Sequence, residues 1–326
     1  AHSFPTRRSS DLGLPTSSIA WNGADTIYAS TMFQPGDTNL QGTVYISTDT
    51  GDTWSPLRSF FAGIEDLEIH PEDPSTVYAG IFESDSERIG IWKTVDAGAS
   101  WQYKSSGITD VMIKDIAIDP SSPDVLYAAT DGGGGIYKTT DAAENWTQTI
   151  HGMTYYIGYQ SKSFRIGTND YIYTVNSFGV YRKIPQIFRM DAGSGAWEPC
   201  GIMPLDTIPY DYAMFSIYDI TQDIQDDSLF YAVGISHSGG VHNHPKQGLF
   251  YTSDDGGITW SDPYSFGFRL ANTAEVVYNG AQQIILVGTG GDDTDSTYGV
   301  WRSTDGGSTF YLSNGWPASL DRKSVV

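Results

Sequence analysis

The 326-residue chain holds a single cysteine, Cys200, and only 18 Lys+Arg against 39 Asp+Glu. One thiol excludes an intrachain disulfide framework and any cysteine-built zinc site. The formal charge of −21 argues against nucleic acid, whose phosphates are held by clustered Lys and Arg. No apolar run approaches the roughly 18 residues of a membrane span, and no segment carries a helical period. Glycine (36 residues) and aromatics (13%) are plentiful instead. The length allows one large domain or two ordinary ones, with ample apolar material for a core.

The two ends stand apart. Residues 1–12 (containing HSFPTRRSSDL) and 321–326 (DRKSVV) resemble translations of one sequencing adapter, read from its two strands. They are set outside fold reasoning, as tags are. The native segment is then expected to be residues 13–320, part of a longer protein, and the missing native start leaves any signal peptide unread.

The interior repeats itself. Ser47–Trp54 reads STDTGDTW, Thr94–Trp101 TVDAGASW, Thr139–Trp146 TTDAAENW, Ser253–Trp260 SDDGGITW and Ser303–Phe310 STDGGSTF. A worn sixth copy, DAGSGAW, ends at Trp197. Around each copy the same strands recur. DLEIHP and DIAIDP come first, TVYAGI, VLYAAT and LFYAVG second, and GIWKT, GIYKT, GLFYT and GVWRS third. The box turns the chain and its aromatic opens a fourth strand. Alternation rich in Val, Ile and Tyr between Gly/Asp/Pro turns marks strands, not helices. Four antiparallel strands in units of about 50 residues predict an all-β chain, a β-propeller with six visible blades. The blades should begin near Ser17, Ile64, Asp110, Ser161, Ala213 and Thr273.

Within the box, the Asp carboxylate can accept main-chain N–H groups across the turn. The Gly two residues on suits a positive φ, and the aromatic brings a large buried area between blades. This constellation resembles the Asp-box, or BNR repeat, of sialidases, xyloglucanase-type glycoside hydrolases, sortilin-like receptors and photosystem assembly factors. The resemblance spans residues 17–312. It implies that the boxes lie opposite the ligand face, so Asp49, Trp54, Asp96, Trp101, Asp141, Trp146, Asp255, Trp260, Asp305 and Phe310 are structural. Family habit, with the acidic and Cys-poor composition, implies an extracellular or cell-surface location, the periplasm included.

The opposite face carries the candidate chemistry, on loops joining strands two and three and on blade-to-blade connectors. Phe61, Tyr155, Tyr156, Tyr210, Tyr212, Phe266 and Arg269 are candidate ligand-binding residues, because flat rings beside carboxylates suit sugars. Asp66, Asp206 and Asp211 are candidate catalytic carboxylates for a hydrolase that needs two opposed acids. The competing reading has these side chains fill the channel and cover blade edges. The sialidase signature is matched best by Phe164-Arg165-Ile166-Gly167, which lacks the proline, and only seven arginines lie between residues 13 and 320. Xyloglucanase-type enzymes use two propellers facing a cleft, and one is visible here.

Two clusters have ligand-like composition. Asp292, Asp293 and Asp295 resemble a Ca²⁺ loop without EF-hand spacing. His237, His242 and His244 have a zinc-like arrangement in an insertion. No cofactor is required. The leading expectation is a monomeric propeller within a larger chain, recognising a glycan or protein without catalysis. The alternative is an extracellular glycoside hydrolase, xyloglucanase-like or sialidase-like, and a third reading is a scaffold that spaces other domains.

Overall fold

The computed structural model describes residues 16–21, 26–31, 42–49, 53–60, 62–84, 88–131, 134–151, 161–166, 171–176, 180–181, 187–191, 195–201, 203–204, 213–238, 247–267, 269–291 and 299–313. They form six antiparallel sheets, five of four strands and one of five. The first blade is β1 (Thr16–Trp21), β2 (Ile27–Thr31), β3 (Gly42–Ser47) and β4 (Ser55–Phe60). The second is β5 (Ala62–Ile69), β6 (Val77–Ser84), β7 (Gly90–Thr94) and β8 (Gln102–Tyr103). The third is β9 (Ile113–Ile118), β10 (Leu126–Thr130), β11 (Ile136–Thr139) and β12 (Thr147–Gln148). The fourth takes β13 (Ser161–Ile166), β14 (Tyr171–Asn176), β16 (Ile187–Asp191) and β17 (Trp197–Pro199), skipping β15 (Val180–Tyr181). The fifth is β18 (Ala213–Gln222), β19 (Phe230–Ser238), β20 (Gln247–Ser253) and β21 (Tyr264–Ser265). The sixth is β22 (Arg269–Asn279), β23 (Gln282–Gly291), β24 (Gly299–Ser303) and β25 (Tyr311–Leu312).

All six expected blade starts fall in or close to an innermost strand. Within each sheet the order follows the chain, each strand pairing with the next, which is the blade architecture of a β-propeller. The chain divides into two compact units of three blades, residues 1–150 and 151–320.

Second strands are buried at every position in β2 and β10, so both of their faces are covered. That burial explains their Ala- and Ser-containing, Tyr-bearing sequence: small residues admit the neighbouring blade, and the tyrosine fills the space between. The cores accordingly lie between blades. One joins Tyr28, Val44 and Phe60 to Ile64, Leu67 and Trp101. Another joins Tyr78 and Ile91 to Ile113, Leu126 and Trp146. In the second unit, Tyr173 and Ile187 pack with Ile217 and Trp260, and Tyr231 and Phe250 with Val276 and Phe310. Each core thus takes the box-closing aromatic of its later blade. Removing one such indole would cost about 3–5 kcal/mol, the usual range for emptying a buried aromatic site.

The repeat does not announce β15. It leaves the fourth blade after its second strand and pairs with the innermost strand of the fifth, Val180 opposite Phe215 and Tyr181 opposite Met214. The connection between the second and third strands of the fourth blade therefore adds a strand to the inner edge of the next sheet.

Candidate functional site

The recurring aspartate turns are built alike. Thr94 Oγ1 donates to Asp96 Oδ1 (2.7 Å), the Gly98 N–H to Thr94 Oγ1 (2.9 Å), and the Ser100 N–H to Asp96 Oδ1 (2.8 Å). The Ser100 hydroxyl reaches Oδ2 at 2.6 Å. The same carboxylate pattern recurs at Asp49, Asp141, Asp255 and Asp305. Bonds from Asn145 and Thr139 hold Asp141 down to about 2, and those from Thr309 and Ser303 do the same at Asp305. Asp96 is lowered by Ser100 and Thr94. At Asp255 burial opposes the fall, and bonds from Thr259 and Ser253 outweigh it. Trp101, Trp146, Trp260 and Phe310 are buried, while Trp54 is half-buried. Every one of these carboxylates spends its acceptors on its own turn.

Asp66 sits on the innermost strand of the second blade, at an irregularity in the β5–β6 register. Ser18 in the first blade donates its hydroxyl to Oδ1 (3.0 Å), and the Ile116 N–H of the third blade reaches Oδ2 (2.9 Å). Burial pushes the Asp66 carboxyl up, against these bonds. The fifth blade has the same device: Thr273 Oγ1 and the Ala274 N–H of the sixth blade donate to Asp219 Oδ2 at 2.8 and 3.1 Å. Both aspartates join an innermost strand to the next.

A second acidic group lies toward the loop face of blades two and three. Lys114, on β9, places Nζ 3.0 Å from Glu65 Oε1 and 3.9 Å from Asp131 Oδ2, so those oxygens stand no more than about 7 Å apart. Known glycosidase carboxyl pairs are separated by roughly 5–9.5 Å. The ammonium also rests 3.2 Å from the centre of the Phe82 ring. Beside it, Asp110 accepts the Gly134 N–H at 2.9 Å and the Met112 N–H at 3.4 Å, which pins the loop between β10 and β11. Glu65 is thus ion-paired, Asp110 is bound to backbone, and Asp131 is the least engaged carboxylate of the three. The cluster offers carboxylate edges, one ammonium and an aromatic ring, a set suited to the hydroxyls and C–H faces of a sugar.

Asp206, Asp211, Phe61, Tyr155, Tyr156, Tyr210, Tyr212, Asp292, Asp293 and Asp295 lie outside the described residues, as do His242 and His244. Phe266 is buried, with its ring against Tyr264, Trp301 and Phe310. Arg269 opens β22 opposite Gly291. Among the described residues no group of His, Cys, Asp and Glu is arranged to hold a metal. Cys200 is buried, which drives its thiol up to about 12 and leaves it un-ionised at neutral pH. Lys114 and Asp131 were not singled out from sequence. Asp131 precedes a glycine run that reads as a turn, and Lys114 occupies one polar position of an alternating strand.

Blade architecture and aspartate turns define a β-propeller. No family model matches the chain. It is 26% identical over 206 residues to a xyloglucanase of Acetivibrio thermocellus, covering 50% of this chain and 24% of that protein. It is 24% identical over 260 residues to a xyloglucanase of a Paenibacillus species, covering 69% of this chain and 24% of that protein. Among solved structures, the GH74 xyloglucanase from Xanthomonas campestris is similar with a TM-score of 0.62 at 16% identity, covering 89% of this chain and 45% of that one. The aligned part spans about a quarter of the length of these curated relatives. The structural likeness establishes the propeller fold, and the sequence relatives are glycoside hydrolases.

Proposed function

We propose that the chain is an Asp-box propeller of an extracellular glycoside hydrolase acting on xyloglucan-type polysaccharide. The observation that carries this reading is the similarity to xyloglucanases over more than half of the chain. The Glu65–Lys114–Asp131 group on the loop face adds chemistry that fits it. Asp131 supplies the least engaged carboxylate of that group, and Asp206 and Asp211 are further candidate catalytic carboxylates. Comparison thus favours the hydrolase over the recognition module that the sequence first suggested.

Incubation with xyloglucan should release shortened oligosaccharides, detected by mass spectrometry. Asp131→Asn should reduce the rate by about 10²-fold or more, the usual loss for a general acid or base. Unchanged turnover in that variant would remove Asp131 from the site. A second reading, glycan recognition without cleavage, draws on the short span of the relatives that this chain covers. Tight binding with no product from a folded sample would favour it.

A further inference from the structure

On the aspartate-turn face, the groove after a blade is lined by its second and third strands and by the turn of the next blade. Long cations fill two of these grooves. Lys93, opposite Tyr78, donates from Nζ to the Ala142 carbonyl at 3.0 Å and lies 5.2 Å from the Tyr78 ring. Arg189, opposite Tyr173, donates from Nη1 to the Gly256 carbonyl at 3.4 Å, with its guanidinium 4.6 Å from the Tyr171 ring. Lys138 holds the same place opposite Tyr127, 5.3 Å from that ring.

The first blade has Ile46 opposite Tyr28, and the fifth likewise carries no cation at this place. Opposite Tyr231 stands Thr252, too short to cross the groove. The turn position matching Ala142 and Gly256 is Gly306, and no atom lies within 4 Å of where its Cβ would be. At Gly256 the corresponding point has Arg189 Nη1 at 3.8 Å. A cavity of about 460 Å³ opens here, lined by Tyr231, Thr252, Asp254, Trp260, Gln283 and Gly306 among others, with no lysine or arginine in its wall. Among the described residues Asp254 forms no ion pair. Gln283 Nε2 donates to Tyr231 Oη at 2.8 Å and also to the fully buried Asp223, setting a second carboxylate behind the wall.

We propose that this cavity binds an alkylguanidinium or alkylammonium group, which takes the place that Lys93 and Arg189 hold in two other grooves. The Tyr231 ring supplies the π face, the Gly306 carbonyl the acceptor and Asp254 the counter-charge. The site belongs to the second unit and does not depend on the proposed glycan reading.

Calorimetric titration with agmatine, with N-acetyl-arginine methylamide and with the neutral n-butylurea tests it. At least one cation should bind saturably, and n-butylurea at least about tenfold more weakly, as loss of the cation–π and charge contacts requires. Binding by agmatine alone would identify a free amine as the ligand, and equal or tighter binding by the arginine amide a side chain of another polypeptide. Thr252→Arg should fill the cavity from within, abolishing binding and raising Tm without ligand. Should that variant fold poorly, Asp254→Asn serves, with weakened cation binding expected. Equal binding of n-butylurea, full binding by folded Thr252→Arg, or no binding of either cation would overturn the proposal.

Discussion

Gly306 and Gly307 both have positive φ, 71° and 89°, yet meet different surroundings. A methyl at Gly306 meets nothing, whereas one at Gly307 would overlap the Phe250 ring. Gly306→Ala should therefore cost only the left-handed penalty, about 1 kcal/mol. Gly307→Ala should cost about 1–3 kcal/mol more through overpacking, as denaturant melts of the two variants would measure. The third turn carries alanines at both positions, Ala142 at 55° and Ala143 at 74°, so it already bears such strain. Asp96, Asp141, Asp255 and Asp305 add a pH dependence of fixed sign. Their folded pKa values lie below the unfolded ones, so their stabilisation is complete above the ordinary Asp range. It drains away as pH falls from about 4 toward the value of about 2 at Asp141 and Asp305. Asp66 is raised and has the opposite sign, its contribution fading as pH rises. Melting temperature should fall steeply below pH 4, and a flat profile down to pH 2 would show that the turns contribute little.

At the scale of the element, the inner-strand aspartates carry the most weight. Asp219 joins β18 to β22 by receiving Thr273 Oγ1 and the Ala274 N–H on one oxygen, while its other oxygen receives the Ile220 N–H. Asp219→Ala strands these donors and should cost about 1–3 kcal/mol by urea unfolding. Asp219→Asn keeps an acceptor and should lose less. The strands themselves were readable because alternation and turn chemistry recur six times, and all six innermost strands lie where the repeat put them. The role of Asp66 was not readable, since its partners Ser18 and Ile116 are 48 and 50 residues away. Only blade stacking brings them together. The same holds for Lys114 and Asp131: sequence shows two polar residues near strand ends, and their meeting depends on the lateral fit of β9 and β10. β15 eluded the repeat because it pairs outside its own blade.

At the scale of the whole molecule, the aspartate turns and the acidic loop group have different duties. The turns spend their aspartates on structure, and in the second unit the cavity beside Thr252 has no lysine or arginine in its wall. The loop face of the first unit keeps Asp131 only loosely held, in a chain whose relatives cleave xyloglucan by name. The strongly acidic surface suits a neutral polysaccharide better than an anionic one, because a chain of net charge −21 repels polyanions. The measurement that meets this claim most directly is calorimetric titration of the folded chain with a xyloglucan oligosaccharide. The account expects saturable binding, weakened about tenfold by Glu65→Gln through loss of the Lys114 pair at the loop face, a change worth roughly 1.4 kcal/mol, and unchanged by Thr252→Arg on the turn face. Absence of saturable binding, or binding lost only in the turn-face variant, would contradict it.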